Sequence, residues 1–351
     1  MKQIHNFSAG PAILPKEVID NCVSALQNFS GTHLSLIEVS HRGKEFVAVM
    51  DEAQSLVKKI MNIGDDYEVL YLQGGASTQF LMVAMNLLEN RAAYCNTGTW
   101  ASNAIKEARH FGSVDVLGSS EEKNFNYIPK NYTIGNDYDY FHCTSNNTIF
   151  GTQMHTFPEC PVPLICDMSS DIFSRKINFS AFDLIYAGAQ KNMGPAGTTL
   201  VVIKKNILNK VNRYIPTMLD YNTHIKKGSM FNTPSVFAVF GCLQTLKWID
   251  HQGLGNIEMY NSKKADLLYS EIDRNELFEG TTAIEDRSKM NATFVLKDDK
   301  LNDSFMQACN EANISGIKGH RSVGGFRASM YNALQLESVQ VLVDVMKNFK
   351  S

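Results

Sequence analysis

Seven short apolar runs punctuate the first part of the chain, at 67–73, 91–95, 113–117, 138–143, 162–166, 183–187 and 198–203. Their length and content predict strands. Helical patterns or long connections separate most of them, so the sheet is read as mostly parallel with at least one antiparallel member. The loop between 183–187 and 198–203 is too short for a crossover helix, which makes 198–203 the strand that returns antiparallel. Helices are predicted from Pro15 to Asn28, with the proline in the first turn, and from Lys44 to Met61, where Phe46, Val49, Met50, Ala53, Val57 and Ile60 recur at helical spacing. Others follow over Gln79–Leu88, over 101–109, and over Ser235–Asp250 with Thr233 as N-cap and Pro234 in the first turn. Beyond Gly253-Leu254-Gly255, read as a hinge, come a helix at 258–276, a strand at 292–297, a helix at 301–312, a strand at 326–331 and a helix at 335–348. The expected organisation is an irregular strap over 1–14, a large domain over 15–254 and a small α/β domain over 255–351.

The 351 residues are 44% hydrophobic and 20% charged, which suits a globular protein with a full core. A net charge of −3 gives no overall basic field for nucleic acid or membrane, so an anionic small substrate needs local arginine and histidine. No apolar run approaches the roughly 20 residues of a membrane span. Residues Met1–Ser8 lack the apolar core of a signal peptide. The seven cysteines are scattered without a CxxC pair and fit free thiols in a reducing cytosol. The expected location is therefore cytoplasmic, and no metal site is expected.

Gly188, Ala189, Gly194, Ala196 and Gly197 share a loop with Lys191 and are read as leaving room for something bulky beside it. Such a lysine is either a solvated hairpin tip or, in a crowded and partly dry pocket, an amine that loses its charge and becomes a nucleophile. Asp167 follows the strand 162–166, at the end where open α/β sheets bind ligands, although an aspartate there also caps turns. Gly74–Thr78 is read as the turn between a strand and a helix. It either aims free backbone N–H groups at a phosphate or simply makes a tight corner. Neither GxGxxG nor GxxxxGK[ST] occurs, so dinucleotide and nucleoside-triphosphate sites have no support. Trp100 stands at the mouth of a helix, and 144–151 is a loop of hydroxyls and amides. His41-Arg42 and the glycine-rich loop Gly319–Arg327, with His320, Arg321 and Arg327, are candidate anion sites. The helix after Asn232-Thr233-Pro234 offers another at its N-terminus. A lysine, a strand-end carboxylate, a phosphate cradle and an aromatic lid are together what pyridoxal 5′-phosphate requires.

The segments Asn6–Ala12, Ser40–Arg42, Gly74–Phe80, Asn146–Gly151, Asp167–Ser170, Gly188–Asn192, Met230–Pro234 and Gly319–Arg327 resemble the phosphoserine aminotransferase family, in the family's order and along nearly the whole chain. The resemblance implies an α/β fold-type I pyridoxal-phosphate transferase with a seven-stranded, mostly parallel sheet, and a homodimer whose active sites lie at the interface. It implies Lys191 as the cofactor lysine, Asp167 as the partner of the pyridinium nitrogen, Trp100 stacked on the ring, and Thr148 and Gln190 near the ring's 3-oxygen. Ala76 and Ser77 would hold the phosphate, joined by Asn232 and Thr233 of the other subunit. Arg327 would take the substrate α-carboxylate, and His41 and Arg42 from the other subunit, with His320 and Arg321, the distal anion. The implied activity moves the amino group of L-glutamate to 3-phosphohydroxypyruvate in serine biosynthesis, and it permits 4-phosphohydroxythreonine in pyridoxine biosynthesis. Ser77 stands where some members carry arginine, which leaves the division of anion contacts open. The competing readings are an alanine–glyoxylate type aminotransferase, a cysteine desulfurase and a non-catalytic binding protein on the same scaffold. A desulfurase needs a cysteine in a glycine-rich loop beside basic residues, and none is present. A small-substrate aminotransferase has no need of two His-Arg pairs, and pure binding could spare Lys191 or Asp167.

Overall fold

Alternate residues of the central strands point to opposite faces, and each face has its own helices. The computed structural model describes residues 3–321 and 323–350. Its main sheet contains β1 (Tyr67–Leu72), β2 (Arg91–Asn96), β3 (Ser113–Ser119), β4 (Tyr140–Thr144), β5 (Leu164–Asp167), β6 (Leu184–Gly188) and β7 (Thr199–Lys204). Their order is β1-β7-β6-β5-β4-β2-β3. β7 is antiparallel to both neighbours, with Thr199 facing Gly188 and Leu72, and the other pairings are parallel. The expected seven-stranded mixed sheet is therefore present.

Helices α1 (Lys16–Gln27) and α2 (Lys44–Met61) cover one face, α3 (Gly75–Leu87) and α4 (Thr99–Ala108) the other, and α5 (Val236–Gln252) returns to the first. Val69, Tyr71, Leu200 and Val202 pack with Phe46, Val57 and Leu243 on the first face. Their chain neighbours Leu70, Leu72, Val201 and Ile203 pack with Phe80, Val83 and Ile105 on the other. A sheet covered on both faces has no polar side, which is why its strands read as unbroken apolar runs. β1 lies at an edge yet is buried. There Ser229 Oγ accepts from Tyr71 N at 2.9 Å, which occupies a donor that an open edge would leave bare.

A second sheet, antiparallel and in the order β8 (Phe278–Gly280), β9 (Asn291–Leu296), β10 (Phe326–Ser329), packs against α6 (Leu254–Arg274), α7 (Asn302–Glu311) and α8 (Leu336–Asn348). Phe294, Phe305, Phe326 and Leu342 centre its core. Phe7, from the other end of the chain, is fully buried in that core. The strap is thus not wholly irregular, because His5 and Asn6 pair in parallel with Ile314 and Ser315.

Several boundaries differ from the sequence reading. Pro15 precedes α1 with an extended ψ of 141°, and its carbonyl accepts from Ile19 N. Gly253 alone, at φ 75°, separates α5 from α6, so the expected three-residue hinge is one residue and Gly255 is helical. Thr233 does not cap α5. Ser235 holds that position, while the Thr233 carbonyl accepts from Gln73 Nε2 at 2.9 Å. α3 begins four residues earlier than expected, because Gly74 at φ 96° and Gly75 at φ 69° complete the corner between them. A side chain on Gly74 would meet Thr78 Oγ1 at 2.0 Å, so only glycine fits there.

Candidate active site

Six strands running the same way end, and β7 begins, at one end of the main sheet. A cavity of about 310 Å³ opens there. Asp167 is the last residue of β5 and is only 5% exposed. Its Oδ1 accepts from Ser169 N at 2.9 Å, and Ser169 Oγ accepts from Gly188 N at 3.1 Å, so one serine ties the ends of β5 and β6 together. Lys191 stands on the turn after β6, half-buried, with Nζ 5.4 Å from the centre of the Trp100 ring. Trp100 lies in the first turn of α4 and donates from Nε1 to Thr148 Oγ1 at 3.1 Å. Arg327 on β10 reaches the same corner, where Nη1 donates to the Thr148 carbonyl at 3.1 Å. The Arg327 Nε is buried without a hydrogen-bond partner.

Burial drives the two central groups toward neutrality. It pushes the Asp167 carboxyl up from its ordinary value, against the pull of Lys191 and the Ser169 hydrogen bonds. It pushes the Lys191 ammonium down, against the attraction of Asp167 and with added repulsion from Arg327. Each group therefore restrains the other's drift toward the neutral form. His320 also lines the cavity, and its imidazolium is disfavoured by burial and by Arg327 and Arg321.

The first turn of α3 supplies the phosphate-sized end of the cavity. Gly75, Ala76 and Ser77 line it, and the opening N–H groups of a helix have no partner within the helix. Nothing lies within 4 Å of where a Gly75 side chain would begin, so the space in front of this turn is open. A lysine, a buried carboxylate, an indole and a helix N-terminus around one open space fit pyridoxal 5′-phosphate.

One expectation fails. The small residues near Lys191 do not make room for a ligand. A side chain on Gly194 would meet Cys242 Sγ at 2.5 Å, and one on Gly197 would meet Ser235 Oγ at 2.9 Å, so both glycines let α5 approach the loop. Gly10 lies on the cavity side instead. A Cβ there would stand 3.3 Å from Lys191 Cγ.

The sequence candidates fall into two groups. Ala76, Ser77, Trp100, Thr148, Asp167, Gln190, Lys191, His320 and Arg327 line the cavity. His41, Arg42, Asn232, Thr233 and Arg321 do not. His41 is half-buried on the turn before α2, with Nε2 shielded and unpartnered, and Arg42 beside it is exposed. Asn232 lines a different cavity, beside Gln73 and Gly74, and Thr233 and Arg321 are exposed. Gly10, Phe80 and Ser169 line the active cavity and were not singled out from the sequence. For Ser169 a signal existed, a hydroxyl two residues beyond a strand-end acid. Another cavity, of about 270 Å³, lies between Ile128–Tyr132 and Asp286, but its Lys130 and Asp286 are already paired at 2.8 Å.

Residues 4–342 match the class-V aminotransferase family. The chain is 60% identical to a phosphoserine aminotransferase of Flavobacterium psychrophilum, over 99% of each chain. Among solved structures, a phosphoserine aminotransferase from Bacillus circulans subsp. alkalophilus superposes with a TM-score of 0.96 at 42% identity, over 99% of this chain and 98% of that one. A PLP-bound phosphoserine aminotransferase from Trichomonas vaginalis gives a TM-score of 0.93 at 34% identity, over 99% of this chain and all of the other.

Proposed function

The chain belongs to the class-V aminotransferase family, with pyridoxal phosphate as cofactor, and from that premise we propose that it transfers the amino group of L-glutamate to 3-phosphohydroxypyruvate, yielding O-phospho-L-serine and 2-oxoglutarate. The observation that carries this reading is the meeting, in one cavity, of Lys191, Asp167, Arg327 and the N-terminus of α3.

When bound, pyridoxal 5′-phosphate supplies an electron sink for the pair left by a departing α-proton. Lys191 would hold it covalently, Asp167 would keep its ring nitrogen protonated, and Trp100 would lie against the ring. Thr148 and Gln190 would face its 3-oxygen, and the N–H groups of Ala76 and Ser77 its phosphate. Lys191 Nζ takes the α-proton and later returns it, acting as base and then acid. Its lowered pKa raises the fraction of free amine near neutral pH. Arg327 grips the α-carboxylate, and its unpartnered Nε offers a donor for that purpose. His320 and Arg321 take the distal group together with His41 and Arg42 from the partner subunit. One cationic site serves both the glutamate side chain and the phosphate, because guanidinium groups pair with either anion. The same anchors suit 4-phosphohydroxythreonine, which carries an α-carboxylate and a phosphate, and so extend the proposal to pyridoxine biosynthesis.

The active unit in this proposal is a homodimer. It is favoured by His41, Arg42, Asn232 and Thr233, which stay outside the cavity of their own chain and are available to a second copy. Residues 15–254 are taken as the cofactor domain, 255–351 as the small domain, and 1–14 as a strap. Seven free thiols favour a cytoplasmic location. No helix among the described residues is long and apolar enough to cross a membrane.

Spectroscopy tests the proposal. The purified protein should be yellow, glutamate should bleach the visible band, and Lys191→Ala should abolish the band. Arg321→Ala should keep the cofactor and lose the phosphorylated acceptor selectively. No bleaching by glutamate, or equal losses for an unphosphorylated oxo acid, would refute the respective assignments.

A further inference from the structure

Lys264 is fully buried on α6, far along the sequence from the residues assigned above. Its Nζ donates to the Met330 carbonyl at 3.0 Å and to the Tyr331 carbonyl at 2.7 Å. No carboxylate lies within ion-pair distance of it among the described residues. The centre of the Tyr260 ring lies 5.4 Å from Nζ. The two carbonyls accept two of the amine's N–H donors. Burial pushes its ammonium down to about 7.

The segment that Lys264 holds leads directly out of β10, which carries Arg327. It is pinned from three more sides. Asn261, one turn earlier on α6, donates to Asn332 Oδ1 at 2.8 Å and to the Ser174 carbonyl at 3.0 Å. Asn332 N donates to Asn192 Oδ1 at 3.0 Å, and Asn192 is the residue after Lys191. Tyr331 OH donates to the Ala9 carbonyl at 2.8 Å, on the wall of the cavity. Residues 330–332 therefore form a clamp between the strand of Arg327 and the turn of Lys191. α6 is the element that holds the clamp from behind.

We propose that Lys264, with Asn261, is a positioning residue that sets the placement of Arg327 relative to Lys191, and thereby the grip on the substrate α-carboxylate. The proposal rests on the assignment of Arg327 to that carboxylate. A residue that serves only to fasten the fold would lower stability and leave the properties of the folded enzyme unchanged. A positioning residue changes carboxylate affinity in the folded enzyme.

The test uses the cofactor-loaded enzyme and three variants, Lys264→Met, Lys264→Gln and Arg327→Gln. Binding of glutarate, an unreactive dicarboxylate, is measured by calorimetry, alongside KM, kcat, the visible cofactor band and the melting temperature. Lys264→Met keeps the stem but leaves both carbonyls without donors. It should weaken glutarate and raise KM for glutamate by about tenfold or more, while kcat changes less than about threefold and the cofactor band persists. Lys264→Gln, whose amide carries two donors, should recover most of the loss. If Lys264→Met fails to fold, Asn261→Leu takes its place with the same readouts. A lower melting temperature with unchanged glutarate affinity and KM would overturn the positioning role. If Arg327→Gln also leaves both unchanged, the carboxylate assignment itself has failed. If it weakens both and the Lys264 and Asn261 variants do not, the positioning inference alone has failed.

Discussion

Replacing Gly10 by alanine tests whether the strap and the Lys191 side chain are fitted to each other. Gly10 sits at φ 140°, where a residue with a Cβ is strained by about 1–3 kcal/mol. The added Cβ would also stand 3.3 Å from Lys191 Cγ, closer than the roughly 3.5–4.0 Å of a comfortable carbon contact. The lysine stem can yield only by leaving its rotamer well, at about 0.5–1.5 kcal/mol. Truncating Lys191 to alanine removes Cγ and with it the overlap, but leaves the backbone strain untouched. The two substitutions should therefore couple. Gly10→Ala should cost about 1 kcal/mol more with Lys191 present than with alanine at 191. Urea midpoints of the four cofactor-free proteins measure this directly, since the comparison needs neither substrate nor turnover. Equal costs in both backgrounds would mean that the glycine answers only to the backbone and that the strap does not shape the lysine.

Two further outcomes follow from charge. His142 is buried between Tyr94 and Tyr186, and its pKa falls from 6.5 to about 3 because burial disfavours the charged ring. The unfolded chain then takes up a proton on this histidine near pH 6.5 while the folded chain does not, so stability is lost as pH falls from there toward 3, by roughly 5 kcal/mol in all. His142→Gln should flatten that limb of a plot of urea midpoint against pH, and an unchanged slope would refute the assignment. A negative charge in the first turn of α3 opposes a bound phosphate. Ser77→Asp should weaken pyridoxal 5′-phosphate by about tenfold or more and leave pyridoxal, which lacks the phosphate, within about twofold. Fluorescence titration of the cofactor-free protein separates the two, and equal weakening would place the phosphate elsewhere.

The central strands of the main sheet were legible in the sequence because burial on both faces leaves them as nearly continuous apolar words. β8 was not, since Phe278-Glu279-Gly280 is too short to show a period and is a strand only because β9 lies beside it. Lys191, Asp167, Trp100 and Arg327 were legible because their chemistry is specific and each stands at or near a strand or helix end. What sequence could not supply was which neighbour explains a small residue. Gly194 and Gly197 lie beside Lys191 in the chain but are explained by α5, some forty residues on. Gly10 is distant in the chain and is explained by Lys191. Glycine pairs caused a second error. Gly74–Thr78 reads as an extended turn, whereas the two glycines, both at positive φ, turn the corner by themselves and α3 starts at Gly75.

His5 and Phe7 find their partners far along the chain, at Ile314 and in the core that it borders. Ala9 and Gly10, on the wall beside Lys191, are therefore moored from both sides, by the Ile314 pairing and by Ala12 N, which donates to the Gln190 carbonyl at 2.9 Å. Losing the pairing with Ile314 and Ser315 would therefore free one end of the wall that encloses the reactive amine.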